Sequence, residues 1–122
     1  MASFTTTAAS ELTEQQKVEL EQDAKDHLWL HFTHHSNYYG EDAIDIPIIV
    51  KGEGHHIYTM DGEKKIDGLS GLFCVNVGHG RAELAEVACN QMKELSYFPL
   101  WSFAHPAAIR LADRLAAYAP GK

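Results

Sequence analysis

The chain is short of cysteine, of positive charge and of long apolar runs, and each shortage removes a class of protein. Its 122 residues include two cysteines, Cys74 and Cys89, too few for the disulfide framework of a small secreted domain. Both sit in apolar stretches and read as buried thiols in a reducing compartment, with the cytoplasm as the default location. Lysine and arginine total 10 against 17 aspartates and glutamates, a formal net charge of -7. Proteins that grip nucleic acid do so by setting basic side chains against phosphates, so nucleic acid is a poor partner for this chain. No apolar run approaches the roughly 18 residues of a membrane span. The N-terminus, MASFTTTAASELTEQQ, has neither the basic flank nor the apolar stretch of a secretory signal. The expectation is a chain neither exported nor membrane-spanning. Low-complexity tracts are missing too, and 45% hydrophobic with 22% charged residues is the composition of a soluble globular protein, long enough for one domain or part of one.

What is present has a definite order. Residues 1–10 are small and polar and read as a flexible tail ending at Ser10, a candidate N-cap with Glu11 and Glu14 in the following turn. A helix is expected over residues 11–29, with apolar positions (Val18, Leu20, Ala24, Leu28) so sparse among charges that it belongs on a surface or against another subunit. Residues 30–45 have no period and several aromatics, hence a loop. Residues 46–51, 55–60 and 64–67 are short β-like runs separated by Gly52-Glu53-Gly54 and Asp61-Gly62, which predicts a three-stranded meander with Pro47 at the start of its first strand. A Gly-punctuated loop leads to a helix over residues 82–95, expected to be well packed on its Leu84, Ala85, Val87, Ala88, Met92 and Leu95 face. After the aromatic stretch SYFPLWSFAH, Pro106 opens a last helix striped by Ile109, Leu111, Ala112, Leu115 and Ala116.

The succession strand, Gly turn, strand, Asp-Gly turn, strand, Ser-Gly loop, Gly-His, helix is written here KGEGHHIYTMDGEKKIDGLSGLFCVNVGHGRAELAEVACNQMKEL. It resembles the opening signature of class III aminotransferases, and among these the ω-transaminases. Phe73 precedes the segment 74–78, Cys-Val-Asn-Val-Gly, and an aromatic stretch closes on His105-Pro106. The resemblance covers roughly residues 25–121, and the composite is far more specific than any single Gly motif.

The resemblance implies an α/β fold, the N-terminal part of a fold type I transferase that uses pyridoxal 5'-phosphate (PLP) and is normally a homodimer with active sites at the subunit interface. Residues 11–70 would hold the N-terminal helix, loop and small-domain meander, and residues 71–122 the start of a truncated large domain. Phe32, Leu72 and Phe73 would line the substrate pocket, with Leu100 and Trp101 approaching it from the subunit interface. Where some relatives carry Trp, Phe73 keeps the apolar wall and gives up the indole donor. The substrates implied are an amine or amino acid and a keto acid such as pyruvate.

Transamination also needs a Schiff-base Lys, a carboxylate for the pyridinium nitrogen and a phosphate cup at a helix N-terminus. The seven lysines all fall at polar helix, turn or tail positions, so the expectation is an N-terminal fragment, inactive alone, whose cofactor anchors lie downstream. The alternative is a stand-alone α+β module that binds a partner without catalysis. His27, His31, His34 and His35 raise a metal site, with His27 and His31 one helical turn apart, but no Cys or carboxylate completes the set, and solvated histidines are the simpler reading. Gly78-His79-Gly80 before a helix could cradle an anion; a tight turn with glycine at positive φ is the simpler reading there, with His79 packing or hydrogen-bonding at the turn. The Tyr97, Phe98, Trp101 and Phe103 segment could be plain core, but its irregular spacing suits a wall or an interface.

Overall fold

The computed structural model describes residues 12–121; the expected tail over residues 1–10 and the Ser10 cap lie outside the described residues. Helix α1 (Glu14–His27) starts at Thr13, not near Ser10. The reason is a capping box: the Gln16 amide donates to Thr13 Oγ1 at 3.3 Å, and the Thr13 amide donates to Gln16 Oε1 at 2.9 Å, satisfying two donors that a helix start otherwise leaves unpaired. Lys17–Glu14 and Lys25–Glu21 ion pairs brace the outer turns. No residue of α1 is buried, as its sparse apolar pattern implies. The loop beyond it is partly ordered by its own aromatics. The Tyr39 hydroxyl donates to Lys25 O, the Trp29 and His35 rings lie 5.0 Å apart, and the Leu30 amide donates to His35 Nε2 at 3.1 Å.

The meander forms as strands β1 (Ile49–Glu53), β2 (His56–Thr59) and β3 (Lys64–Ile66), antiparallel in the order β1-β2-β3. Gly54-His55 is the first turn, and residues 60–62, including Asp61-Gly62, make the second. β1 begins two residues after Pro47, whose ring fixes φ and supplies no donor, so ladder pairing starts beyond it. A register irregularity between Ile49 and Lys51 brings Lys51 opposite Tyr58. The lysine ammonium lies 5.1 Å from that ring centroid. Ile46, Thr59 and Met60 are the buried cluster among the described residues, where the Met60 amide donates to Ile48 O at 2.8 Å.

Past β3 the chain makes one helical turn, α2 (Ser70–Phe73), and returns to the sheet as a bridge between His79 and Gly54. The chain divides into two compact units, the first ending at Arg81 and the second beginning at Ala82. The second unit holds α3 (Ala82–Glu94) and α4 (Pro106–Tyr118). Pro106 opens α4 as its pattern predicts, and His105 is the N-cap, its Nδ1 accepting from the Ala108 amide at 3.4 Å. Neither helix has a buried residue. This corrects two expectations: α3 is not well packed, and Cys74 and Cys89 are exposed thiols, not buried ones. Amphipathic sequence supplies an apolar face; burying it requires a covering element, and Leu84, Val87 and Met92 are exposed. No helix of the described residues is long and apolar enough to cross a membrane.

Candidate functional site

Five non-glycine residues among those described have positive φ: Phe32 at 57°, Ser70 at 51°, Leu72 at 64°, Phe73 at 63° and Ser102 at 62°. For an L-residue this region brings Cβ against the following carbonyl, at roughly 1–2 kcal/mol each, and it is normally visited by single residues. Backbone held there against its preference gathers at ligand-contacting sites. Phe32, Leu72 and Phe73 are three of the five, and Ser102 directly follows Leu100 and Trp101.

The turn α2 is the most concentrated case. With Gly71 at φ 56°, four consecutive residues wind left-handed. Bonds of the usual helical span close it, from the Phe73 amide to Leu69 O and from the Cys74 amide to Ser70 O, both 2.9 Å. The result turns Leu72 and Phe73 outward, Phe73 being 71% exposed. Gly71 fits this geometry without strain from a side chain, and an added Cβ would sit 3.0 Å from Val75 Cγ2.

Asp67, between β3 and the turn, ties it down. Its Oδ2 accepts from the Gly71 amide at 2.8 Å and from His79 Nε2 at 2.9 Å, and its backbone O accepts from the Ser70 amide at 3.3 Å. The hydrogen bond from His79, then those from the Gly71 and Leu69 amides, hold the Asp67 carboxyl below its ordinary value of 3.8 despite partial burial. Asp67 and His79 side chains are 11% and 24% exposed. His79 is fixed in turn: its amide donates to Gly54 O at 2.8 Å, the Gly54 amide donates back to His79 O at 3.1 Å, and its ring lies on Gly52, where any Cβ would be 2.5 Å from His79 Cγ. Gly78 and Gly80 have φ of 88° and 76°. The Gly-His-Gly segment is therefore a tight turn, and its histidine is a hydrogen-bonding member of the sheet edge.

The other candidate residues occupy different settings. Phe32 is fully exposed on the loop after α1, its ring edge-on to His31 at 5.4 Å between centroids. Within the second unit, Leu100 and Trp101 line an open cleft of about 490 Å³ with Leu95, Tyr97, Phe98 and His105. Trp101 is 83% exposed, and Phe98 packs edge-on against Phe103 at 5.3 Å. Sequence reasoning singled out Leu72 and Phe73 and missed Asp67. The signal was thin, an Asp four residues before a glycine, and its meaning appears only when His79 arrives from 12 positions away.

Six of the seven lysines lie among the described residues. Lys17, Lys25 and Lys51 are held in the charged state, above their ordinary value of 10.5, first by hydrogen bonds to Glu14, Glu21 and Glu53. A lysine that attacks a carbonyl needs the opposite shift. Lys65 pairs with Glu63 at 2.9 Å, Lys64 lies 5.9 Å from the Tyr58 ring centroid, and Lys93 is exposed in the last turn of α3. Lys122 lies outside the described residues.

Comparison with known proteins identifies the family. The family pattern for Aminotransferase class-III matches residues 38–122. A probable aminotransferase of Mycobacterium tuberculosis is 54% identical over 94 residues, covering 77% of this chain and 19% of that protein. The putrescine–pyruvate aminotransferase of Pseudomonas aeruginosa is 46% identical over 74 residues, covering 60% and 17% respectively. Among solved structures, the (S)-enantioselective ω-transaminase of Thermomicrobium roseum superposes with a TM-score of 0.78 at 35% identity, covering 86% of this chain and 23% of that one. The chain therefore spans about a fifth of the length of these relatives. Its helix, three-stranded antiparallel sheet and following helices are the α/β architecture of their N-terminal part. The chain belongs to the class III aminotransferases.

Proposed function

We propose that this chain is the N-terminal portion of an aminotransferase that moves an amino group between an amine or amino acid and a keto acid such as pyruvate. The observation that carries the reading is α2, a turn held left-handed through three non-glycine residues so that Leu72 and Phe73 project outward. Such strain has a use where an apolar surface must face a ligand. The Pseudomonas aeruginosa relative, a putrescine–pyruvate aminotransferase, supports pyruvate as acceptor.

In the complete protein PLP would supply the electron sink for the exchange. This chain's share is different: Phe32, Leu72, Phe73, Leu100 and Trp101 wall the substrate pocket, exclude water and favour hydrophobic amine substituents. Leu100 and Trp101 do so from the interface of a homodimer. Residues 11–70 then belong to the small domain and residues 71–122 begin the large one. The Schiff-base Lys lies outside the chain, which is inactive alone, and the protein works in the cytoplasm.

The test is to add an amine and pyruvate to the full-length, PLP-loaded protein and to the 122-residue chain with added PLP. Alanine formation by the former and none by the latter is expected. Turnover by the 122-residue chain would refute the division of labour, and none by the full-length protein with any of a panel of amines would refute the assignment.

A further inference from the structure

Left to itself, the segment 70–73 has no reason to wind left-handed. Glycine occupies one of its four positions, and Ser70, Leu72 and Phe73 would each relax to negative φ if the backbone were free. The bonds that close the turn do not choose its hand, since a right-handed turn would form the same pairs. The choice comes from outside, and two side chains supply it. Asp67 Oδ2 receives the Gly71 amide from within the turn and His79 Nε2 from across the sheet edge. His79 is immobilised by its two backbone bonds to Gly54 and by the close seat on Gly52. One carboxylate oxygen thus links the strained turn to the sheet.

We infer that Asp67 and His79 are positioning residues: together they lock α2 left-handed and so set where Leu72 and Phe73 stand, which determines the size of amine substituent the pocket accepts. This rests on the aminotransferase reading for its second half, while the lock itself is a property of residues 52–79. The carboxylate's low proton affinity keeps it an acceptor for both donors at neutral pH. Neither residue needs to touch substrate for this. They act through the backbone of Gly71, and their loss should change selectivity more than turnover.

Two measurements, one without substrate, separate the lock from the enzyme. In the first, amide hydrogen exchange is followed at Phe73, Cys74 and Val75, whose amides donate to Leu69 O, Ser70 O and Ser70 O, in the full-length protein and in D67A, D67N and H79F. D67A should exchange at least about tenfold faster there, because bonds to an ionised acceptor are the strong ones, with β1 and β2 amides unchanged. D67N keeps an acceptor for the Gly71 amide and should stay within about threefold of wild type. H79F keeps a ring over Gly52 but loses the donor to Asp67, and should fall between them. It also serves if D67A does not fold.

In the second, the PLP-loaded protein is assayed with a bulky aromatic amine and a small aliphatic one. In D67A or H79F, KM for the aromatic amine should rise about tenfold while kcat, and KM for the small amine, stay within about threefold, the pattern of lost binding with the chemical step untouched. Unchanged exchange in both D67A and H79F overturns the lock. Faster exchange with equal losses for both amines overturns the selectivity role. Faster exchange in D67A or H79F, together with a wild-type protein that transfers no amino group, leaves the lock standing and overturns the aminotransferase reading together with the selectivity role.

Discussion

At the scale of single residues, Gly52 and Asp67 make the sharpest expectations. Replacing Gly52 by Ala drives a Cβ to 2.5 Å from His79 Cγ, and overpacking of this kind costs about 1–3 kcal/mol. Gly68→Ala meets nothing within 4 Å and should stay within about 0.5 kcal/mol of wild type. Chemical denaturation of the two variants checks this, and equal losses would contradict the placement of His79. Asp67 gives a pH dependence with a definite sign. Because its carboxyl is held below 3.8 in the folded chain, the unfolded state takes up the proton first as pH falls. The stabilisation is therefore complete above 3.8 and is lost as pH drops through the lower folded value. The Gly71 amide resonance, followed from about pH 7 to pH 2, should titrate with a midpoint below 3.8; a midpoint at or above that value would contradict the bond to Asp67.

At the scale of elements, how much the sequence discloses depends on how local the cause is. The meander and the helix opened by Pro106 were legible because turn glycines, β-branched runs and a proline act over a few residues. The start of α1 was legible in principle, since Thr13 and Gln16 have capping-box spacing, but Ser10 with two following glutamates offered a competing start. Thr13→Ala should cost about 1 kcal/mol, seen as lost helix signal in a circular dichroism melt, and no change would assign the helix start elsewhere. The left-handed α2 was illegible. Only Gly71 hints at positive φ, and the hand at Ser70, Leu72 and Phe73 depends on His79 reaching Asp67. The candidates Leu72 and Phe73 came from resemblance to a family, and their backbone strain is what the fold adds.

At the scale of the whole molecule, α3 and α4 carry apolar stripes yet have no buried residue. Leu84, Val87, Met92, Ile109, Leu111 and Leu115 are all exposed. Periodicity reveals that a face is apolar but not which partner buries it, which is why a well-packed α3 was expected and an open one found. Exposed patches on this scale mark association surfaces, so the 122-residue chain alone should bind a hydrophobic dye and scatter light as aggregates. A monomer with a sharp calorimetric transition would contradict that.

We propose that the cofactor is anchored outside residues 1–122 of the protein. The most direct measurement is borohydride reduction of the full-length, PLP-loaded protein, followed by peptide mapping of the lysine that becomes labelled. The label is predicted to fall outside residues 1–122. A stoichiometric label on any of the seven lysines of this chain would contradict the claim.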